Sequence, residues 1–157
     1  MQHDFEDHEI KFHTHQLYYN SIFISLYSFL EKKMNQLCKL AEKENILKLN
    51  DLNGNGVIKY YNYITKVLLI DLNTVEDEWE LIKKYNKLRN QLVHSPVNTI
   101  DNKNSNLITI FKSIANLNYK ERENSFTFEI ADKQLLLDFK KAINSFLHEV
   151  FYERIKH

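Results

Sequence analysis

The chain has 157 residues and a mass of 18.9 kDa, with 43% hydrophobic residues, 27% charged residues, two glycines and one proline. This composition predicts one globular domain over residues 1–157 and excludes a disordered, collagen-like or low-complexity chain. One cysteine excludes an intramolecular disulfide, and 21 basic residues balance 21 acidic residues, so a site for a polyanion has to be local.

The first third of the chain has the pattern of a long amphipathic helix, which we place at residues 7–43. Its apolar side chains recur at intervals of three and four residues: Phe23, Tyr27, Leu30, Met34, Leu37 and Ala41. Residues 1–9 are acidic and lack an apolar core, so we expect no signal peptide. No apolar run approaches the roughly 20 residues of a membrane span, so we expect a soluble protein of the reducing cytoplasm.

Two further helices are predicted before residue 95. A loop at residues 45–56 precedes the second helix. Helical spacing in this second helix involves Ile58, Tyr61, Ile64, Thr65 and Leu68. The third helix is placed at residues 75–94, with Thr74 as its N-cap and Asp77 in a capping-box-like position. It has to end there, because Pro96 disfavours helical geometry in the residue before it.

The remaining third is predicted to hold a loop, two helices and a hairpin. The polar residues 97–106 form the loop. The short helix after it has one apolar side, formed by Leu107, Ile110, Phe111 and Ile114. Alternating apolar and polar residues predict a small β-hairpin within residues 117–130, and Asp132 then caps a last helix that reaches residue 155. The predicted fold is an all-α bundle of four to five helices with this one minor hairpin.

Arg89 interrupts the apolar side of the third helix. At about 100° per residue, it lies within the arc occupied by Leu88, Tyr85 and Ile82. A guanidinium there is costly unless it is paired or lines a cleft. Because the chain has 18 lysines and only three arginines, arginine here indicates a need for the planar fork that binds phosphate through two hydrogen bonds. The solvated side of the helix is formed by Glu80, Lys84, Lys87 and Gln91.

Asn90 and His94 share one face at the edge of this arc, because they are four residues apart. The imidazole of His94 can serve as a general acid or base near neutral pH. Arg89 and His94 lie about 140° apart around the helix, so they converge only through the reach of the arginine, a distorted last turn or a partner surface.

The segment at residues 88–94, L-R-N-Q-L-V-H, resembles the R-N-x-x-x-H signature of HEPN domains (higher eukaryotes and prokaryotes nucleotide-binding). In that family the motif ends a long helix within an all-α bundle of about this size. This helix resembles that of the bacterial members in its residues Trp79, Tyr85 and Leu88. The similarity in architecture covers most of the chain.

The resemblance implies a homodimer whose two motifs face each other across a cleft and cleave RNA without a metal or cofactor. His94 would activate the ribose hydroxyl or protonate the leaving oxygen, Arg89 would neutralise the scissile phosphate, and Asn90 would orient His94 or the phosphate. Cleavage would leave a cyclic phosphate, and DNA would not react. The family further implies a toxin–antitoxin or antiphage role, with a small antitoxin protein as a partner.

Two alternatives stay open. Many HEPN domains are not catalytic, so the chain is alternatively a module that binds RNA, a nucleotide or a partner protein. A plain helical interaction domain is the other alternative, in which Asn90 and His94 form a polar last turn and Arg89 pairs with a carboxylate elsewhere.

Residues in the loop before the second helix resemble the start of an EF-hand, with Asp51, Asn53 and Asn55 at ligand positions and Gly56 at the sharp turn. The last ligand position is Asn62, where calcium needs a bidentate glutamate, and no second hand is present. A glycine-rich turn that starts a helix explains these residues better.

Other reactive or aromatic residues are interpreted as structural. The N-terminal histidines are His3, His8, His13 and His15. They are interpreted as a solvated helix start, because no cysteine joins them to form a metal site. Cys38 is predicted to be a small core residue rather than a nucleophile. Three tyrosines that could stack on RNA bases are instead assigned to the core: Tyr60, Tyr61 and Tyr63.

Overall fold

The computed structural model describes residues 2–95 and 98–156, with side chains described for residues 14–95 and 98–155. Its α-helices in this part of the chain are α1 (Gln2–Ala41), α2 (Gly56–Lys66), α3 (Glu76–His94), α4 (Ser105–Lys112) and α5 (Gln134–Lys156). Its strands are β1 (Thr99–Asp101), β2 (Asn118–Glu121) and β3 (Ser125–Glu129). The prediction of a mainly helical fold with a hairpin inside residues 117–130 is confirmed.

Two compact units can be distinguished, and the chain passes from one to the other within α1, α3 and α5. The sheet unit consists of Met1–Ser25 and Lys87–Asp138, and the helical unit consists of Leu26–Asn86 and Phe139–His157. That the whole chain is one domain stays a prediction. No helix in the described part of the chain has the length and apolar character that crossing a bilayer requires.

The predicted apolar side of α1 is buried along its whole length, from Phe23 to Ala41. In the helical unit, three aromatic rings stack: half-buried Tyr61 lies 3.9 Å from buried Trp79 at an interplanar angle of 3°, and buried Phe146 lies 5.7 Å from Trp79. Tyr63 is fully buried, and its hydroxyl donates to the carbonyl of Leu47. Tyr63 therefore belongs to the core, as expected from the sequence, whereas Tyr60 and Tyr61 are half-buried.

The sheet has the strand order β1-β3-β2, and both pairings are antiparallel. Phe126 and Phe128 on β3 are buried, and the Phe128 ring meets Phe111 of α4 edge to face at 4.8 Å. The opposite face of β3 carries Thr127 and Glu129, which are half-buried. One face of the sheet is thus apolar and packed, while the other is polar.

Strand β1 corrects the prediction that residues 97–106 are a loop. Thr99–Asp101 carries one apolar residue, Ile100, so it has no period from which a strand could be recognised. Pairing supplies the reason: Ile100 lies opposite Phe126 in the register and is buried. Residue 97 lies outside the described residues.

The start of α3 also differs from the sequence expectation. Thr74 is not its N-cap but lies in a 3-10 turn, Asn73–Val75, and its hydroxyl donates to Glu149 Oε1 at 2.8 Å. This tertiary partner competes with the capping role that the sequence suggested. Asp132 is not the N-cap of the last helix either, since the carbonyl of Lys133 accepts the first helical hydrogen bond, from Leu137; Asp132 Oδ1 accepts from the backbone N–H of Gln134 at 2.7 Å in the turn that leads into the helix.

Glu42 fixes the loop that follows α1. Its carboxylate accepts a hydrogen bond from Lys39 Nζ at 2.9 Å and another from the backbone N–H of Leu49. Its carbonyl oxygen accepts from Lys48 Nζ. The hydrogen bonds from Lys39 and Leu49 lower the pKa of the Glu42 carboxyl below its ordinary value of 4.5.

The lowered pKa of Glu42 predicts a pH-dependent contribution to stability. The folded protein favours the charged carboxylate, so the contribution is complete above the ordinary pKa and is lost as the pH falls through the lowered one. We expect Glu42→Gln to lower the free energy of unfolding at about pH 7, and the difference from wild type to shrink towards about pH 3. Urea unfolding of both proteins over this pH range measures the difference in their free energies of unfolding.

Glu123→Gln is the matched control, since Glu123 is exposed and its carboxylate forms no hydrogen bond or ion pair with the described residues. This variant should follow the wild type at every pH. If the Glu42 variant does the same, the carboxylate does not stabilise the loop.

The positive φ of Leu69 predicts that a glycine at this position stabilises the protein. The φ of this leucine is 55°, a region that costs side chains with a β-carbon about 1–2 kcal/mol, and its side chain is 76% exposed. We expect Leu69→Gly to raise the free energy of unfolding by about 1 kcal/mol in urea titrations. Leu137→Gly, at another exposed leucine but within α5, should instead lower it by about 1 kcal/mol or more. Destabilisation by both would contradict the assignment of strain to Leu69.

Candidate active site

The last two turns of α3 carry the three residues that the motif selects. The helix begins with Glu76, Asp77 and Glu78, whose negative charges complement its dipole, and it ends with His94. It ends where the sequence predicted, and the backbone N–H of Ser95 donates to the carbonyl of Gln91 at 3.0 Å. The chain therefore leaves the helix immediately after the histidine.

Burial changes along this helix. Ile82, Tyr85 and Leu88 are buried, as their spacing predicts. In the last two turns, Arg89 is half-buried, Asn90 and His94 are exposed, and Val93 is 45% exposed. The motif thus lies on a surface that contains both polar groups and an apolar side chain.

Arg89 and Asn90 are in direct contact. Arg89 Nη1 donates a hydrogen bond to Asn90 Oδ1 at 3.2 Å. Adjacent helical residues point about 100° apart, so the contact depends on the length of the arginine side chain. Asn90 therefore orients the guanidinium in this chain.

His94 stands apart from this pair. Among the described residues, no hydrogen bond or ion pair reaches its imidazole, which is exposed. The structure brings two of the three motif residues together and leaves the third open to an incoming group.

Gln91 has a role that the sequence did not indicate. It was assigned to the solvated side of α3, but it is half-buried and its Nε2 donates to the carbonyl of Thr99 at 3.3 Å. The bond ties the last turns of α3 to β1. No local signal predicts it, because its acceptor belongs to the strand that the sequence did not reveal.

The remaining candidates are explained by structural roles. Asp51 Oδ2 accepts from the backbone N–H of Lys48 at 2.8 Å and so closes a turn. Gly54 and Gly56 have φ values of 104° and 55°, which fits a glycine-rich turn. Cys38 is fully buried, and burial raises the pKa of its thiol to about 12, so the nucleophilic thiolate does not form near neutral pH.

Metal ligands do not converge within the described side chains: no group of three or more His, Cys, Asp or Glu residues there could hold an ion. The side chains of His3, His8 and His13 lie outside the described ones. His15 is exposed and packs edge to face against Tyr19 at 4.7 Å.

The end of α3 therefore offers a guanidinium held by an amide, together with an exposed imidazole. A guanidinium can bind and neutralise a phosphate, and an imidazole can donate or accept a proton. These are the groups that phosphodiester chemistry needs in the absence of a metal. Comparison of the chain with protein-family models, curated proteins and solved structures finds no match.

Proposed function

We propose that this protein is a metal-independent endoribonuclease of the HEPN type. The observation that carries the proposal is the end of α3, where Arg89 donates a hydrogen bond to Asn90 and the imidazole of His94 is exposed one turn further on. The mainly helical fold and the position of the motif at the end of a long helix agree with that family.

The chemistry follows from the groups present. The imidazole of His94 takes the proton of a ribose 2′-hydroxyl, and the 2′-oxygen attacks the adjacent phosphorus. The bond from phosphorus to the 5′-oxygen breaks, and an imidazolium returns a proton to that oxygen. The products are a 2′,3′-cyclic phosphate and a 5′-hydroxyl. Arg89 neutralises the charge that accumulates on the phosphate oxygens.

A homodimer completes the site in this proposal. Around α3, Val93 lies at about 140°, between Arg89 at about 100° and His94 at about 240°, when Leu88 is taken as zero. Its 45% exposure leaves an apolar group in the middle of the polar motif. A second copy that covers Val93 would bring its own arginine and histidine to the same cleft and exclude water from the phosphate.

The biological setting is proposed from the family alone. The enzyme would act in the cytoplasm as part of a toxin–antitoxin or antiphage system. A small antitoxin protein would cover the motif. The alternative is a catalytically silent HEPN module that binds RNA, a nucleotide or a partner protein through the same surface.

Cleavage of RNA by purified variants tests the proposal. In excess EDTA, we expect wild type to cut RNA and to leave cyclic phosphate ends, and His94→Ala to lose about 10²–10⁴-fold in rate with the acid–base group. Arg89→Ala should lose about 10²-fold or more through lost charge stabilisation. A substrate with a 2′-deoxyribose at the cut site should stay intact. Mass spectrometry of the products and gel assays supply both readouts.

His148→Ala is the matched histidine control, since His148 is exposed on α5 in the helical unit. It should retain the wild-type rate. Circular dichroism establishes that each variant is folded. If folded wild type leaves varied RNAs uncut, the binding module replaces the nuclease, and if Arg89→Ala and His94→Ala cut like wild type, the site lies elsewhere.

The contact between Arg89 and Asn90 generates a separate prediction. In Asn90→Asp, a carboxylate lies about 3.2 Å from the guanidinium and competes with the phosphate for it. We expect kcat/KM to fall about tenfold further than in Asn90→Ala, which removes the hydrogen bond but adds no charge. The excess loss should diminish in high salt. Equal losses in the two variants would show that Arg89 does not bind the phosphate.

A further inference from the structure

A groove of about 940 Å³ lies in the sheet unit. One wall comes from α1, through Gln16, Leu17 and Asn20. Its other side includes the polar face of the sheet, where Thr99 and Lys120 both pair with Thr127 in the register. The volume is at the upper end of the range of about 300–1,000 Å³ that small-ligand sites occupy.

Two amide groups in this groove have hydrogen-bonding atoms that are not satisfied. Asn20 Oδ1 and Asn98 Nδ2 are buried and have no hydrogen-bond partner in the described chain. Buried polar atoms are nearly always paired, so the acceptor and the donor left open in one groove are available to a polar ligand. The terminal torsion of an asparagine is soft, so each amide can turn towards a ligand at little cost.

Two cations also line the groove. Lys120 and Arg122 are exposed, and within the described residues neither forms an ion pair. Lys112, by contrast, is neutralised by Glu121 at 2.6 Å. Tyr119 also borders the groove, but its ring stacks on buried Phe126 at 5.2 Å, on the apolar face of the sheet. The groove therefore combines these two cations and the two amides with one carboxylate, that of Glu129.

The groove adjoins the motif at the end of α3. Thr99, which lines it, accepts the hydrogen bond from Gln91. Asn98 follows His94 by four residues, so their Cα atoms are at most about 15 Å apart. A short stretch of an extended ligand is long enough to reach both.

We propose that this groove binds one nucleotide of single-stranded RNA beside the scissile phosphate and reads its base. Lys120 and Arg122 contact the phosphate, and the amides of Asn20 and Asn98 contact a donor and an acceptor on the base edge. Unstacked bases of single strands are the part of RNA that proteins read in this way. An uncharged peptide or a neutral sugar would leave both cations without a partner. The subsite rests on the proposed nuclease function for its RNA, although its binding can be measured separately.

Binding of labelled RNA hexamers tests the role of the cations. All variants carry His94→Ala so that the RNA stays intact, and fluorescence anisotropy gives Kd at several salt concentrations. We expect the double change Lys120→Ala and Arg122→Ala to weaken binding about tenfold and to reduce the slope of log K against log salt by about 0.7, the value for one neutralised phosphate on a single strand.

The double change Lys140→Ala and Lys141→Ala removes the same charge from exposed positions of α5 and is the control. It should leave both Kd and the salt slope close to those of the parent. Equal weakening by the two doubles would show non-specific attraction and overturn the subsite.

Base reading is tested with homopolymeric hexamers of A, C, G and U. We expect the parent to prefer one base, and Asn20→Leu and Asn98→Leu to reduce that preference about tenfold, because leucine has a similar size but forms no hydrogen bond. These changes also remove the unsatisfied atoms, so folding should be maintained. An unchanged preference in both variants would overturn base reading.

Mononucleotides separate the two sources of a nucleoside phosphate. Competition by AMP, CMP, GMP or UMP as strong as that by a hexamer would identify the groove as a site for a free nucleotide and overturn the RNA subsite. Binding that depends on Lys120 and Arg122 without cleavage by a protein with an intact His94 would retain the subsite and refute the nuclease. Cleavage that depends on His94, together with a KM that is unchanged in the variant carrying Lys120→Ala and Arg122→Ala, would retain the nuclease and overturn the subsite.

Discussion

The pairing of β1 with β3 is the interaction on which the arrangement of the sheet unit depends. It buries Ile100 against the strand that carries Phe126, a burial that contributes about 1.5–3 kcal/mol. Because β1 follows α3 after a short connection and accepts the hydrogen bond from Gln91, this pairing holds the end of α3 that carries the motif. A contact between segments far apart in sequence is thus linked, through Gln91, to the helix end that carries Arg89 and His94.

Elements with several periods of apolar residues could be predicted from the sequence. The buried side of α1 and the alternation in β3 are examples, because their buried residues recur at a fixed spacing in the sequence. Strand β1 and the partner of Thr74 could not be predicted, because each depends on one tertiary contact. Gln91 was missed for the same reason: its acceptor exists only once β1 has paired.

The candidate site also has a part that could be predicted from the sequence and a part that could not. Arg89, Asn90 and His94 follow from a short motif and from helical geometry. The hydrogen bond between Arg89 and Asn90 does not, because it depends on the conformation of a long side chain. The groove had no sequence signal at all, since Asn20 and Asn98 are ordinary polar residues that only the fold places in one cavity. Local patterns therefore identify reactive groups better than they identify the surface that selects a ligand.

The stacked aromatic core of the helical unit has a consequence for spectroscopy. Trp79 is the one tryptophan of the chain, and its indole lies 3.9 Å from the ring of Tyr61 within that unit. Tryptophan fluorescence, excited at the red edge of the protein's absorption band, therefore reports on the surroundings of the Trp79 indole alone. The sheet unit has no indole of its own, and its opening would need a different chromophore, such as a fluorophore attached near β2, to become visible.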